Sequence, residues 1–307
     1  MAAERLRSPV WWFGGKGKMT ARIVPLLPPH REYVEPFGGG ASVLLAKRPA
    51  KVETWNDRDG GLAGFFRVLC DPGQFKAFRR LVEAHPYSRE LWNEARASWE
   101  AEADPVRRAA LWFVVARQSF GGCFGAGWGS AVERSRAGMA GTASQWLSCL
   151  RGLPAIHARL VRVQIENADF RTILKRYDGP GYLAYCDPPY VHATRRAGGY
   201  AHEMTEADHA EFVERLLAYR GAVVLSGYAH EVYRPLAEAG WERRDFETAC
   251  YAAARTRATG ILGAGAALRK QARTESVWRN PEALRRCRRR DEPLYAAAES
   301  GSDGGDG

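Results

Sequence analysis

Apolar positions along this chain come in three textures, and their order sets out an architecture. In the first sixty residues, "EYVEP" (32–36) and the alternating "KVETWND" (51–57) flank "FGGG" (37–40) and "ASVLLAKR" (41–48). This predicts strand, glycine-rich turn, short helix and strand, the opening unit of a doubly wound sheet. From about 60 to 155 the period lengthens. "FFRVLCDPGQFKAFRRLVEA", "RELWNEARASWEAE" and "PVRRAALWFVVARQSF" repeat their apolar residues at helical spacing. They run into "GGCFGAGWGSAVERSRAGMAG", glycine-rich with aromatics between, which predicts a loop or hairpin. After 160, continuous apolar runs return in "VRVQIEN" (161–167), "GYLAYC" (181–186) and "AVVLSGY" (222–228), as suits strands buried on both faces. Between the last two, "TEADHAEFVERLLAYR" (205–220) pairs Phe212 with Leu216 and Val213 with Leu217, and Thr205 with Asp208 reads as a capping box.

The expected organisation is an α/β domain of a doubly wound sheet, formed by 1–60 and 160–283 and interrupted by a helical region, 61–159. The tail, 284–307, begins basic in "LRRCRRR" and ends rich in Gly, Ser and Asp, with its last dozen residues expected to be disordered. No internal repeat is visible.

Composition narrows the function classes. A chain of 307 residues with 46% hydrophobic and 26% charged residues suits a globular protein with a sizeable core. A net charge of +10 fits a polyanion partner such as nucleic acid, or simply an arginine-rich composition. Ten tryptophans exceed what a core of this size needs; some are expected on binding surfaces, though most are expected simply in the core. The six cysteines, at 70, 123, 149, 186, 250 and 287, form no CxxC pair, so neither a zinc ribbon nor a disulfide framework is indicated. Reduced thiols in a cytoplasmic protein are expected. The N-terminus lacks the apolar core of a signal peptide, and the longest apolar run, "AALWFVVA" (109–116), is too short for a membrane span. His202 with His209, and His230 with Glu231, read as surface or helix residues, and no metal is expected.

Two motifs carry candidate chemistry. In "EPFGGGAS" (35–42), glycines after a strand let the backbone approach a ligand at the carboxyl edge of a sheet. The pattern is not GxGxxG, which argues against a pyrophosphate-bearing dinucleotide. Asp57, at the end of the next strand, stands where an acid takes ribose hydroxyls. Each feature alone is better read as a tight turn and a surface acid; together they fit a nucleoside-bearing cofactor without a pyrophosphate, of which S-adenosylmethionine is one. The second motif is "YCDPPY" (185–190). Pro188 and Pro189 have fixed φ and no N–H, yet keep their carbonyl acceptors. Asp187 adds a carboxylate and Tyr190 a flat face. Such a group suits a planar substrate with an exocyclic amine, whose delocalised lone pair hydrogen bonds to two acceptors would free for attack. A lone DPPY is equally a strand end with a proline turn.

In chain order, "WWFGGKGK", "VEPFGGGAS", "WND", "NADF", "YCDPPY", "LSGY" and "RTESVWRN" resemble the Dam-like DNA adenine methyltransferases, in the versions carried by phages and mobile elements. The resemblance covers most of residues 10–280 and is weakest in the helical region. It implies the S-adenosyl-L-methionine-dependent methyltransferase sheet with one antiparallel edge strand, a helical target-recognition domain, and methyl transfer to N6 of a flipped adenine in double-stranded DNA. No metal, membrane or obligate protein partner is implied. By the same resemblance, Trp12 and Lys16 contact the cofactor, and Pro36, Phe37, Gly38 and Gly40 form its loop. Asp57 holds its ribose or a nearby polar group, and Asp169 and Phe170 lie near its adenine. Asp187, Pro188, Pro189 and Tyr190 are the catalytic tetrapeptide, with Asp187 also beside the cofactor. Arg117 and Phe120 become candidate DNA contacts, Arg as a bidentate partner of guanine and the aromatic as a wedge beside a flipped base. Helix-end packing for Phe120, and a solvated face or phosphate contact for Arg117, are the plain alternatives. GATC-methylating members carry Asn and Arg shortly after this aromatic, where this chain has Gly122 and Gly125, so GATC is not implied. "LRRCRRR" (284–290) could touch phosphates or be a solvated helix end. Rival readings keep the fold with RNA or a protein glutamine as acceptor, or make the chain a DNA-binding protein without catalysis; the intact DPPY and glycine loop speak against the latter.

Overall fold

The computed structural model describes residues 6–191, 202–249 and 272–291, without the side chains of 248–249, 272–273 and 290–291. The residues expected to be a disordered tail lie outside it. Strand β1 (Glu32–Glu35) leads through α2 (Ser42–Ala46) to β2 (Val52–Asn56), after a short first helix α1 (Thr20–Ile23). Four helices follow: α3 (Gly60–Cys70), α4 (Pro72–Glu83), α5 (Arg89–Ser98) and α6 (Pro105–Gln118). Each begins where Asp59, Asp71, Ser88 or Asp104 accepts a backbone N–H three residues on, satisfying an otherwise unpaired donor of the first turn. A small exposed hairpin, β3 (Ser135–Arg136) and β4 (Met139–Ala140), precedes α7 (Gly141–Leu160). The chain then forms β5 (Gln164–Glu166), α8 (Phe170–Arg176), β6 (Tyr182–Cys186) and α9 (Glu206–Ala218), whose capping box between Thr205 and Asp208 is present in full. It ends with β7 (Ala222–Gly227), α10 (Arg234–Glu238), β8 (Glu242–Ala249), β9 (Ala272–Arg279) and α11 (Pro281–Asp291).

The sheet order is β5-β2-β1-β6-β7-β9-β8. The first five strands are parallel, and β9 runs antiparallel to both β7 and β8. The reversed strand expected at the edge is therefore present one place in from the rim, covered by β8 over an eight-residue register.

Side chains alternate across the sheet as the pleat requires. Tyr33, Trp55, Leu183, Tyr185 and Val224 enter the core shared with α2, α3, α4, α6 and α7, whereas Val34, Ala184, Cys186, Val223 and Leu225 enter the core under α8, α9 and α10. The larger core is stacked aromatic: Phe65 lies 5.2 Å from Phe113 and 5.3 Å from Trp112. No described helix is long and apolar enough to cross a membrane. The described cysteines are all free thiols. His209 is buried on α9, and His230 accepts the N–H of Val232 at a helix start.

The basic segment 284–290 lies on α11. Arg286 donates to the carbonyls of Pro180 and Gly181, just before β6, which places this helix at the amino edge of the parallel strands. At that edge the helical region is tied down by a buried ion network. Glu53 on β2 takes Arg159 of α7 at 2.6 and 2.8 Å and Lys47 at 2.6 Å, and all three side chains are buried. Glu53→Ala strands two buried cations and should cost about 3–5 kcal/mol. Urea unfolding checks this, and a loss below about 1 kcal/mol would mean water reaches the pair.

Candidate active site

β1 and β6 are neighbours, but the segments after them join opposite cores: α2 packs on one face and α9 on the other. A crevice opens where such paths part. Here it is a cleft with about 970 Å³ of empty space including its open mouth, lined from the carboxyl ends of β1, β2 and β6, the start of α8 and the segment 12–16.

The glycine loop is shaped by what lies under it. The Gly38 N–H bonds the Asn56 carbonyl at 2.7 Å, and a Cβ on Gly38 would stand 2.0 Å from Nε1 of buried Trp55. Gly39 takes φ +46° and donates its N–H to Asp57 Oδ2 at 2.9 Å. Asp57 Oδ1 accepts from the Asp59 N–H at 2.9 Å. Burial pushes the Asp57 carboxyl up to about 6 while these two N–H bonds pull against it. Beneath the loop, the fully buried Asn56 amide donates to Pro36 O (2.7 Å) and Ala168 O (3.0 Å) and accepts from Ala168 N (2.9 Å). One side chain thus pins three chain segments at the sheet's carboxyl edge.

On the other side of the cleft stands Asp187. Lys16 Nζ, itself buried, lies 2.6 Å from Asp187 Oδ1, 3.3 Å from Glu275 Oε1 on β9, and donates to Gly14 O at 2.9 Å. The same ammonium sits 4.7 Å above the Tyr190 ring, and the Tyr190 hydroxyl donates to Glu275. Tyr228 meets the Tyr190 ring edge-on at 4.5 Å. Burial pushes the Asp187 carboxyl up to about 6; Lys16 restrains the rise and Glu275 adds to it. Glu35, at the end of β1, also lines the cleft; burial pushes it up to about 8 although the Tyr33 hydroxyl donates to it at 2.6 Å.

The third wall is aromatic. Phe37, Phe170 and Phe212 form a triangle with centroids 5.4–5.5 Å apart. Asp169 caps α8 by accepting the Arg171 N–H at 3.0 Å, and Arg171 continues to Asp208 (2.5 Å) and Glu211 (2.7 Å).

The expected residues therefore gather. Trp12, Lys16, Pro36, Phe37, Gly38, Gly40, Asp57, Asp169, Phe170, Asp187 and Pro189 line this one cleft, and Pro188 and Tyr190 are buried beside it. Lys16, expected against a cofactor, is engaged with Asp187 and Glu275. Arg117 and Phe120 stand outside the cleft lining, at the end of α6. Phe120 is 53% exposed, not packed at the helix end, and the Arg117 guanidinium lies 5.2 Å over the Trp11 ring. Glu35, Asn56 and Glu275 lay in quoted motifs without a role. For Glu35 and Asn56 the signal is an acid or amide inside a segment that reads as strand; Glu275 carries none, because its segment does not read as strand from its hydropathy.

The profile of the D12 class N6 adenine-specific DNA methyltransferases matches residues 12–233. A curated DNA N-6-adenine-methyltransferase of Escherichia phage P1 is 26% identical over 203 residues, 62% of this chain and 24% of its own length. The chain thus spans about a quarter of the length of the curated relative it matches. A solved structure from Pyrococcus horikoshii, provisionally assigned as an RNA methyltransferase, overlaps 87% of this chain and 81% of its own, with TM-score 0.33 and 8% identity, too slight a likeness to carry any argument.

The contact between the glycine loop and Trp55 gives a direct test. Gly38→Ala should overpack the indole and cost about 1–3 kcal/mol. An unchanged urea midpoint would show that the loop has slack.

Proposed function

The chain belongs to the D12 class N6 adenine-specific DNA methyltransferases, and from that premise we propose that it transfers a methyl group from S-adenosylmethionine to the exocyclic amine of adenine in double-stranded DNA. One observation carries the reading: the glycine cradle at 38–40 and the lysine-held carboxylate of Asp187 face the same cleft.

The residues fit that cofactor. A Cβ at Gly38, Gly39 or Gly40 would collide within 2.7 Å with Trp55, Trp12 or Ser8, so only glycines let the loop pack this closely and keep its course along the cleft. Asp57, held by two N–H groups at the end of β2, suits ribose hydroxyls, and the Phe37–Phe170 wall suits a purine face. When bound, S-adenosylmethionine supplies an electrophilic methyl on a sulfonium.

The chain's own groups prepare the amine. Asp187 and the carbonyl of Pro188 accept the two N–H bonds and draw the nitrogen out of the ring plane, freeing its lone pair for in-line attack. Asp187 also stands where the departing amine proton leaves. A base stacked in a duplex cannot reach a carboxylate this deep, so the adenine is flipped out, at a few kcal/mol. Tyr190, the last residue of the motif, supplies the aromatic flank for the base.

Residues 61–159 act as the target-recognition domain. Its tip supports this: Phe120 is exposed beside a glycine loop, and Arg117 is stacked on Trp11, the neighbour of cleft residue Trp12. Gly122 and Gly125 take φ of 74° and 69°, and a Cβ on Gly122 would meet Trp11 at 3.0 Å. Side chains reading GATC from these two positions would be strained, which supports a different recognition sequence.

Asp187→Ala should lower transfer of tritiated methyl to duplex DNA by at least about 100-fold while leaving the unfolding midpoint near the parent's. Retained activity would remove the assignment. RNA and glutamine peptides run alongside test the rival acceptors. The parent's rate should fall as pH drops through about 6, because Asp187 gains a proton there. Lys16→Met removes the charge that restrains this titration, so its acid limb should move to higher pH; a limb that stays put separates the two groups. Arg117→Ala should blur the methylated sequence, read by sequencing modified bases, more than it weakens cofactor binding. An unchanged profile would exclude Arg117 from recognition.

A further inference from the structure

β9 brings a buried acid into the cleft region from outside the matched residues 12–233. Glu275 accepts the Tyr190 hydroxyl and lies 3.3 Å from Lys16 Nζ, while the same ammonium is 2.6 Å from Asp187. Its strand is fixed on both sides. β9 pairs with β7 and β8, and Asn280 at its end bonds Val223 N and Gly221 O and caps α11. Nothing about sheet packing calls for an acid at this position, and burying one is costly unless it is paired.

We infer that Glu275 is a positioning residue for the methyl transfer proposed above: it fixes the Tyr190 ring through its hydroxyl and shares Lys16 with Asp187. The inference rests on that reading of the cleft. Two carboxylates on one ammonium leave one net negative charge next to the amine. In the reaction the amine lone pair forms the new N–C bond as the C–S bond breaks, its electrons staying on sulfur. The nitrogen becomes cationic until its proton leaves. A net negative cluster favours that nitrogen; a neutral pair would not. The ring and the carboxylate are also set by one acid, so their spacing around a planar base is fixed before the base arrives.

The groups facing Asp187 leave this effect readable. Glu35 on β1 is held up to about 8 by burial, and Tyr185, Cys186 and Tyr233 are raised further, all chiefly by burial. Near pH 6 these four are uncharged. Lys16 and Glu275 then supply the charges that act on the Asp187 titration, in opposite directions, and the Tyr190 hydroxyl adds a hydrogen bond that acts in the same direction as Lys16.

The test is Glu275→Gln in the full chain, with Glu275→Asp as the variant that keeps the charge. Without substrate, carbon-13 NMR of aspartate-labelled protein, with the Asp187 signal assigned against Asp187→Asn, should show Asp187 titrating lower in Glu275→Gln and near the parent value in Glu275→Asp. In single turnover on adenine-containing duplex, Glu275→Gln should be slower by about tenfold to a hundredfold, with its acid limb moved to lower pH and S-adenosylmethionine affinity unchanged within threefold. An unmoved Asp187 titration in Glu275→Gln overturns the inference whatever the activity. So does a parent-like rate, or a rate loss matched by lost cofactor affinity, which would mark Glu275 as merely structural. A parent protein that methylates no DNA would sink the reaction assigned above, and the titration would still decide whether Glu275 and Asp187 share Lys16.

Discussion

The structure depends on the parting of two adjacent parallel strands. β1 and β6 share a ladder, yet the chain after β1 turns to one face of the sheet and the chain after β6 belongs to the other. No covering helix can lie over both ends at once, so a crevice is obligatory. Every group proposed to do chemistry hangs from it. The glycine loop follows β1, Asp57 follows β2, and Asp187 follows β6. β9, beyond β7, reaches the same edge with Glu275 because it runs the other way.

That placement concentrates carboxyl groups where water is scarce, and each is stabilised by a different means. Asp57 receives backbone N–H bonds. Asp187 and Glu275 receive one ammonium between them. Glu35 is pushed high enough by burial to be largely protonated near neutral pH. Asp57 and Asp187 each stand one residue past a strand, but Asp59 turns its N–H back to Asp57, whereas Asp187 is followed by two prolines with no N–H to offer and takes a side-chain cation instead. A cleft built this way favours a cationic ligand and a nitrogen that gains positive charge.

How far this was legible in the sequence depended on burial. β6 and β7 are legible because strands covered on both faces must be apolar, β1 and β2 because they flank the glycine turn and short helix, and α9 because its capping box and amphipathic pairs agree; β5, read from the run 161–167 as a strand buried on both faces, is instead a rim strand with part-exposed side chains. The hairpin β8–β9 was missed. "ERRDFETA" is a rim strand with mostly exposed polar side chains, and "ARTESVWR" buries Glu275, Ser276 and Arg279 by pairing them with Tyr190, Asp245 and Glu242. Hydropathy cannot see an acid whose partner lies 85 residues away. For the same reason Lys16 could be placed at the cleft by resemblance, but its pairing with Asp187 required the fold.

The segment 11–16 shows why the site behaves as one unit. It has little regular structure, so its course is set by what its side chains touch. Trp11 meets Arg117 and the Gly122 position of the tip loop; Trp12 lies against Gly39 and, at 6.3 Å, Trp112; Lys16 holds Asp187 and Glu275. Six consecutive residues therefore join the exposed loop of the helical region, the glycine cradle and the carboxylate. A shift at Trp11 cannot be absorbed by a helix or strand of its own before it reaches Lys16, some five residues on and at most about 18 Å even fully extended. Residues so connected do not contribute independently, so substitutions at the tip and at the carboxylate should combine non-additively. That property distinguishes one working cleft from a binding loop and a catalytic motif that merely lie near each other.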